Sequence, residues 1–230
     1  MREIVLDTET TGFEPDQGDR IVEIGGVELL NHMPTGRTYH QYIDPKRAMP
    51  EDAFKVHGLG DDFLRGKPVF AEIADAFLEF IGDAKMVIHN AAFDMKFLNA
   101  ELRWLNKPQL PWEQAIDTLA IARKKFPGSP ASLDALCRRF NIDNGARTLH
   151  GALLDSEILA EVYLELIGGR QPGLILGQSQ SQTGGSDTQE AWRPAPRPAA
   201  LPARLTPDEA AAHDTFVETL GDAPMWRKTS

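Results

Sequence analysis

Near the start of this chain the apolar run Ile4-Val-Leu6 passes directly into Asp7-Thr-Glu9. An unbroken aliphatic run of this kind predicts a buried strand. Residues two apart on an extended chain share a face, so Asp7 and Glu9 can both meet one metal ion. Alone, the triplet favours the simpler reading that Asp7 caps a turn. Whatever covers this strand must therefore tolerate two same-facing acids at its end.

Further strands are expected at Arg20–Leu29 and Thr38–Ile43, forming a meander with Glu3–Asp7. Phe70–Ile81 carries apolar residues at helical spacing, and Met86–His89 is a short strand running into a helix from Ala92 to Arg103. Helical stretches follow at Ala115–Lys124, Leu133–Phe140 and Ala152–Ile167. Strands first, then strand and helix in alternation, predict an α/β fold with a mixed sheet flanked by helices.

Two more acid-bearing clusters sit at element junctions. In His89-Asn-Ala-Ala-Phe-Asp94 the acid falls in the first turn of a helix, where it also complements the helix dipole without any chemistry. His89 and Asn90 are expected to hold the junction. In His150-Gly-Ala-Leu-Leu-Asp155 the acid lies among apolar helix positions in the second turn, a costly placement unless it is paired or bound to metal. His150 stands at the helix entrance after a Gly-Ala-Arg-Thr loop, where a histidine can swing toward a substrate or serve as an ordinary surface residue. Together, four carboxylates and no thiols suit Mg²⁺ or Mn²⁺ and suffice for two ions about 4 Å apart. The histidine adds a group that titrates near neutrality.

Composition narrows the classes. One cysteine excludes a disulfide framework and a multi-Cys zinc site. The formal charge of −10 argues against a protein that coats nucleic acid or a membrane with a basic surface. No run reaches the ~18 apolar residues of a membrane span, and the N-terminus is acidic where a signal peptide would be apolar, so a cytoplasmic chain with no membrane partner is expected. Gly, Pro, Gln and Ser supply half of residues 169–204, predicting a flexible linker between a folded domain over 1–168 and a terminal segment over 205–230. That segment opens with helix-start signals: Thr206 as cap, Pro207 first and Glu209 third. The helix is expected to run to Leu220 with Gly221 as its stop. Phe216, Val217 and Leu220, extended by Met225 and Trp226, would give an apolar face in need of a partner.

The order Asp-x-Glu, His-Asn-x-x-Phe-Asp and His-x-x-x-x-Asp resembles the DEDD exonuclease superfamily in its histidine-bearing branch. Val56-His-Gly-Leu59, Asn90–Asp94, Ser132–Cys137 and Leu149–Asp155 narrow the resemblance to the proofreading 3′→5′ exonucleases of bacterial replicative DNA polymerases. The match spans nearly all of residues 1–168 and implies a ribonuclease H-like fold. It also implies that Asp7, Glu9 and Asp155 hold a first metal, with Asp7 bridging to a second that Asp94 contacts largely through water. His150 would be the general base, and Asp52 and His57 would approach the terminal nucleotide of a DNA 3′ end with Asp7, Glu9 and Asp155. The family further implies docking of the terminal segment on the polymerase (alpha) subunit, a weak sliding-clamp motif at Gln171–Leu176 and, in some members, a small accessory subunit. Residues 1–168 carry 18 cationic against 27 acidic side chains, a net of −9, so weak DNA binding by the domain alone is expected. The rival readings are a standalone RNA-trimming exonuclease, which has no use for the linker, and a catalytically inactive polymerase adaptor, which has no use for the acids.

Overall fold

The computed structural model describes residues 1–145, 147, 149–169 and 206–219. Five strands form one sheet in the order β3-β2-β1-β4-β5. Here β1 is Arg2–Thr10, β2 Ile21–Leu30, β3 Met33–Tyr42, β4 Lys85–Ile88 and β5 Ala115–Asp117. The β1–β2–β3 meander is antiparallel, while β4 runs parallel to both β1 and β5. Helices cover both faces, which is why β1 reads as an unbroken apolar run.

Strand alternation assigns the two cores. Ile4 and Leu6 face α3 (Phe70–Ile81) and α4 (Ala91–Trp104), joining Phe77, Phe97 and Leu98. Val5 faces the opposite layer of α5 (Thr118–Lys125), α6 (Leu133–Phe140) and α7 (Ala152–Ile167), joining Leu136, Leu159 and Val162. A fully buried Phe77 alone is worth about 1.5–3 kcal/mol. By the same parity Asp7 and Glu9 continue the Val5 face, and Thr8 continues the Ile4–Leu6 face.

One expected element needs correction. Ala115–Lys124 is not one helix: Ala115–Asp117 is strand β5, with Ile116 beside Val87, and the helix starts only at Thr118. Three edge residues carry too little periodicity to be read as a strand. Asp117 itself caps α5, accepting from the N–H groups of Leu119 (2.9 Å) and Ala120 (3.3 Å). The chain also forms two short helices that the sequence pattern did not reveal, α1 (Glu51–His57) and α2 (Asp61–Leu64).

The terminal helix α8 spans Pro207–Glu218 in a unit separate from the sheet domain. Thr206 and Glu209 exchange the two hydrogen bonds of a capping box. The clamp motif at Gln171–Leu176, most of the linker, and Leu220, Gly221, Met225 and Trp226 lie outside the described residues. Among the described residues no helix is long and apolar enough to cross a membrane.

One glycine governs how the second layer sits. Gly25 of β2 lies beside Asp7 in register, and a Cβ there would fall 2.2 Å from the backbone of Ala152 and Leu153. The α7 N-terminus thus rests on bare strand backbone, and Ser156 Oγ donates to the Gly25 carbonyl at 3.1 Å. Gly25→Ala should cost about 3 kcal/mol by forcing two backbones apart. The expected fall in melting temperature is about 6–12 °C, read by thermal denaturation.

Candidate active site

Three junctions deliver the acids to one edge of the sheet. β1 presents Asp7 and Glu9; the β4–α4 junction presents Asp94; α7 presents Asp155. Asp155 lies in the first turn of its helix, one turn earlier than the sequence suggested. Asn90 caps α4 with φ of 67°, a left-handed conformation that asparagine tolerates, and its N–H donates to Asp117 at 3.2 Å. His89 Nδ1 lies 2.9 Å from the Thr118 hydroxyl, so this histidine does brace the junction.

Glu9, Asp94 and Asp155 are all buried, and Asp7, Glu9 and Asp94 line a cavity of about 630 Å³. Ligand atoms of Glu9, His150 and Asp155 lie within 4.8 Å of one another. Asp94 accepts from the Thr8 hydroxyl at 2.7 Å, so the residue between Asp7 and Glu9 tethers the acid of the opposite layer.

Crowding of like charge away from water sets the electrostatics. Burial raises Asp7 well above the ordinary carboxylate range, and Asp94, Glu9 and Asp155 add to the shift. Burial, then Asp155 and Glu23, push Glu9 up to about 8. Burial lifts Asp94 to about 7 against the opposing bond from Thr8. At Asp155 burial acts upward, but hydrogen bonds from His150 and Arg147 outweigh it and hold the group low. Such a set of oxygen donors fits hard divalent cations, which would supply the missing positive charge.

His150 is half exposed on the loop before α7, and its backbone N–H donates to the Val56 carbonyl of α1 at 3.1 Å. Its Nδ1 lies 3.4 Å from Asp155. Asp52, in the first turn of α1, is exposed at the mouth of the cavity. His57 ends α1, is buried, and lines the cavity. Its Nδ1 accepts from the Leu59 N–H at 3.0 Å, and its buried Nε2 has no partner among the described residues. Gly58 follows at φ of 73°, turning the chain under Leu149 of the histidine loop. Sequence reasoning missed Arg147, whose side chain is 8% exposed and pairs with Asp155, Asp134 and His150. A lone arginine in a Gly-Ala-Arg-Thr loop carries no signal of such a role.

These shifts give a pH dependence. Asp94 and Glu9 titrate higher in the folded than in the unfolded chain, so the folded state binds more protons and stability falls as pH rises through their folded values. Burial lowers His57 and His89, which act in the opposite sense only below their ordinary range. Between about pH 7 and 8.5 the chelator-treated protein should therefore lose melting temperature as pH rises. Added Mg²⁺ should abolish that loss, as thermal melts with and without the cation will show.

Comparison with known proteins places this geometry. The family model described as "Exonuclease" (RNase_T) matches residues 4–163. The chain is 58% identical over 174 residues to "DNA polymerase III subunit epsilon" of Rickettsia conorii, covering 74% of this chain and 76% of the relative. It is 46% identical over 239 residues to the protein of that name from Escherichia coli K12, covering 98% and 97%. Among solved structures, exonuclease X in complex with 5′ overhanging duplex DNA superposes with a TM-score of 0.57 at 28% identity, covering 71% of this chain and 90% of that one. The nuclease domain of 3′hExo, a DEDDh family member bound to rAMP, shares the fold with a TM-score of 0.63 at 19% identity, covering 72% and 91%. The chain belongs to the exonuclease family and, within it, to the DNA polymerase III epsilon subunits.

Proposed function

We propose that the 3′→5′ proofreading activity of this polymerase subunit is carried by Asp7, Glu9, Asp94, Asp155 and His150. The observation that carries the assignment is their convergence on one sheet edge, with three of the acids raised by burial and, at Asp7 and Glu9, by repulsion from the other site acids. The four carboxylates would hold two divalent cations, Mg²⁺ or Mn²⁺, which when bound polarise the scissile phosphate and neutralise charge on the departing 3′-oxygen. His150 takes the proton of the attacking water, and its half-exposed position lets the proton pass on to solvent. The phosphodiester P–O3′ bond breaks and a nucleoside 5′-monophosphate leaves. In this reading His57 and Asp52, which both line the cavity, meet the terminal nucleotide of a DNA 3′ end. Selection of mispaired ends follows from fraying, since an unpaired terminus costs less to draw into the cavity.

Asp7→Ala should abolish nuclease activity on single-stranded DNA while raising the melting temperature of the chelator-treated protein, because it removes one of several repelling carboxylates. Residual wild-type rates would overturn the metal assignment. His150→Ala should lower kcat by about 10²–10⁴-fold and remove one limb of the pH–rate profile. An unchanged profile would exclude His150 as the base.

The terminal segment has its own role in this reading. Helix α8, capped at Thr206 and too short to be stable alone, docks on the alpha subunit of the polymerase. Residues 169–204 then tether the nuclease near the primer end, raising its effective concentration. Gln171–Leu176 would offer the sliding clamp an apolar contact through Leu174 and Leu176. A chain ending at Gly168 should keep its activity on single-stranded DNA and fail to co-purify with the polymerase; undiminished co-purification would refute the docking role.

A further inference from the structure

Arg147 occupies a position that a cation-binding site would otherwise leave to its metal. Its Nε and Nη2 fork the two oxygens of Asp155 at 2.5 and 2.8 Å. The same Nη2 lies 2.9 Å from Nδ1 of His150. It is therefore wedged between two of the three residues whose ligand atoms cluster for a metal, Glu9 being the third. The remaining nitrogen, Nη1, reaches outward to Asp134 of α6 at 2.8 Å.

We propose that Arg147 is a positioning residue that competes with the divalent cation for Asp155 and releases to Asp134 when the cation binds. A guanidinium forking a buried carboxylate uses both of its oxygens, and two cations cannot share them without repulsion. While the fork is closed, Nη2 also stands 2.9 Å from Nδ1 of His150 and holds the base beside Asp155. The second partner makes release inexpensive: Asp134 is half exposed and stays in contact with Nη1 throughout. A groove of about 330 Å³ lined by Lys55, Val56, Asp134, Leu149 and His150 gives the side chain room to turn. Asn144 Nδ2 donates to the same Asp134 oxygen at 3.0 Å and fixes the receiving carboxylate. In the metal-free protein Arg147 thus neutralises a site that would otherwise hold four crowded acids, and metal entry and freeing of the base become one event.

This inference rests on the metal centre proposed above, and the test separates the two. Mn²⁺ affinity of the full-length chelator-treated protein is measured by calorimetry for wild type, Arg147→Gln, Asp134→Asn and the double variant, with Asp7→Ala as the control for the centre itself. Arg147→Gln should bind Mn²⁺ about tenfold more tightly, within the usual range of coupling between two ligands. Asp134→Asn leaves the fork intact but removes its receiver, so Mn²⁺ should bind several-fold more weakly than in wild type. The double variant should match Arg147→Gln. Unchanged or weaker binding by Arg147→Gln, or tighter binding by Asp134→Asn, would overturn the competition. Should Arg147→Gln not fold, Asp134→Asn decides alone. Asp7→Ala binding as wild type does would instead refute the metal centre, and the competition with it.

Discussion

The contact of the α7 N-terminus with bare backbone at Gly25 is the constraint from which the site follows. A residue with any side chain would hold the helix away from β2. Asp155 sits one helical turn beyond this contact, and Gly25 pairs with Asp7 in the neighbouring strand. Close packing at one glycine thereby sets the distance between acids that are 148 residues apart in the chain. Ser156 satisfies the Gly25 carbonyl from the same turn, so the approach leaves that polar group paired.

The rest of the molecule holds this edge rigid against its own repulsion. The segment after Glu9 is tied to α4 by three cations. Arg20 forks the buried Glu101 at 2.7 Å through two nitrogens, Lys96 donates to the Phe13 carbonyl at 2.7 Å, and Arg103 meets Asp16 at 2.6 Å. The first is the strongest because Glu101 is buried and the fork is bidentate; the exposed pair at Asp16 adds little. Negative charge at the site is consequently not relieved by movement of its strands, which leaves the Arg147 guanidinium on Asp155 to offset it. An acidic domain of this kind offers DNA few cationic contacts of its own.

Much of this was legible in the chain. Phe70–Ile81, Leu133–Phe140 and Ala152–Ile167 appear with the bounds that periodicity and capping suggest, because each has a full apolar face and a clear start or stop. Ser132 caps α6 by accepting from the Ala135 N–H, as a serine before an apolar run leads one to expect. Strand β5 and helix α1 were not legible, being too short to show a period. The burial of His57 was hidden for the same reason.

The acids, their two-residue spacing on β1 and their positions at element junctions are properties of the sequence alone, since alternation and helix starts are local. Local rules also account for Thr8 facing α4 while its neighbours face α7. What only the tertiary structure decided is which groups meet across the layers. Thr8 tethers Asp94, Arg147 clamps Asp155 and Asp134, and His57 lines the cavity from the end of α1. Those partners depend on how closely α7 and α4 approach the sheet. That approach is set by packing between residues far apart in the chain, which no local pattern encodes.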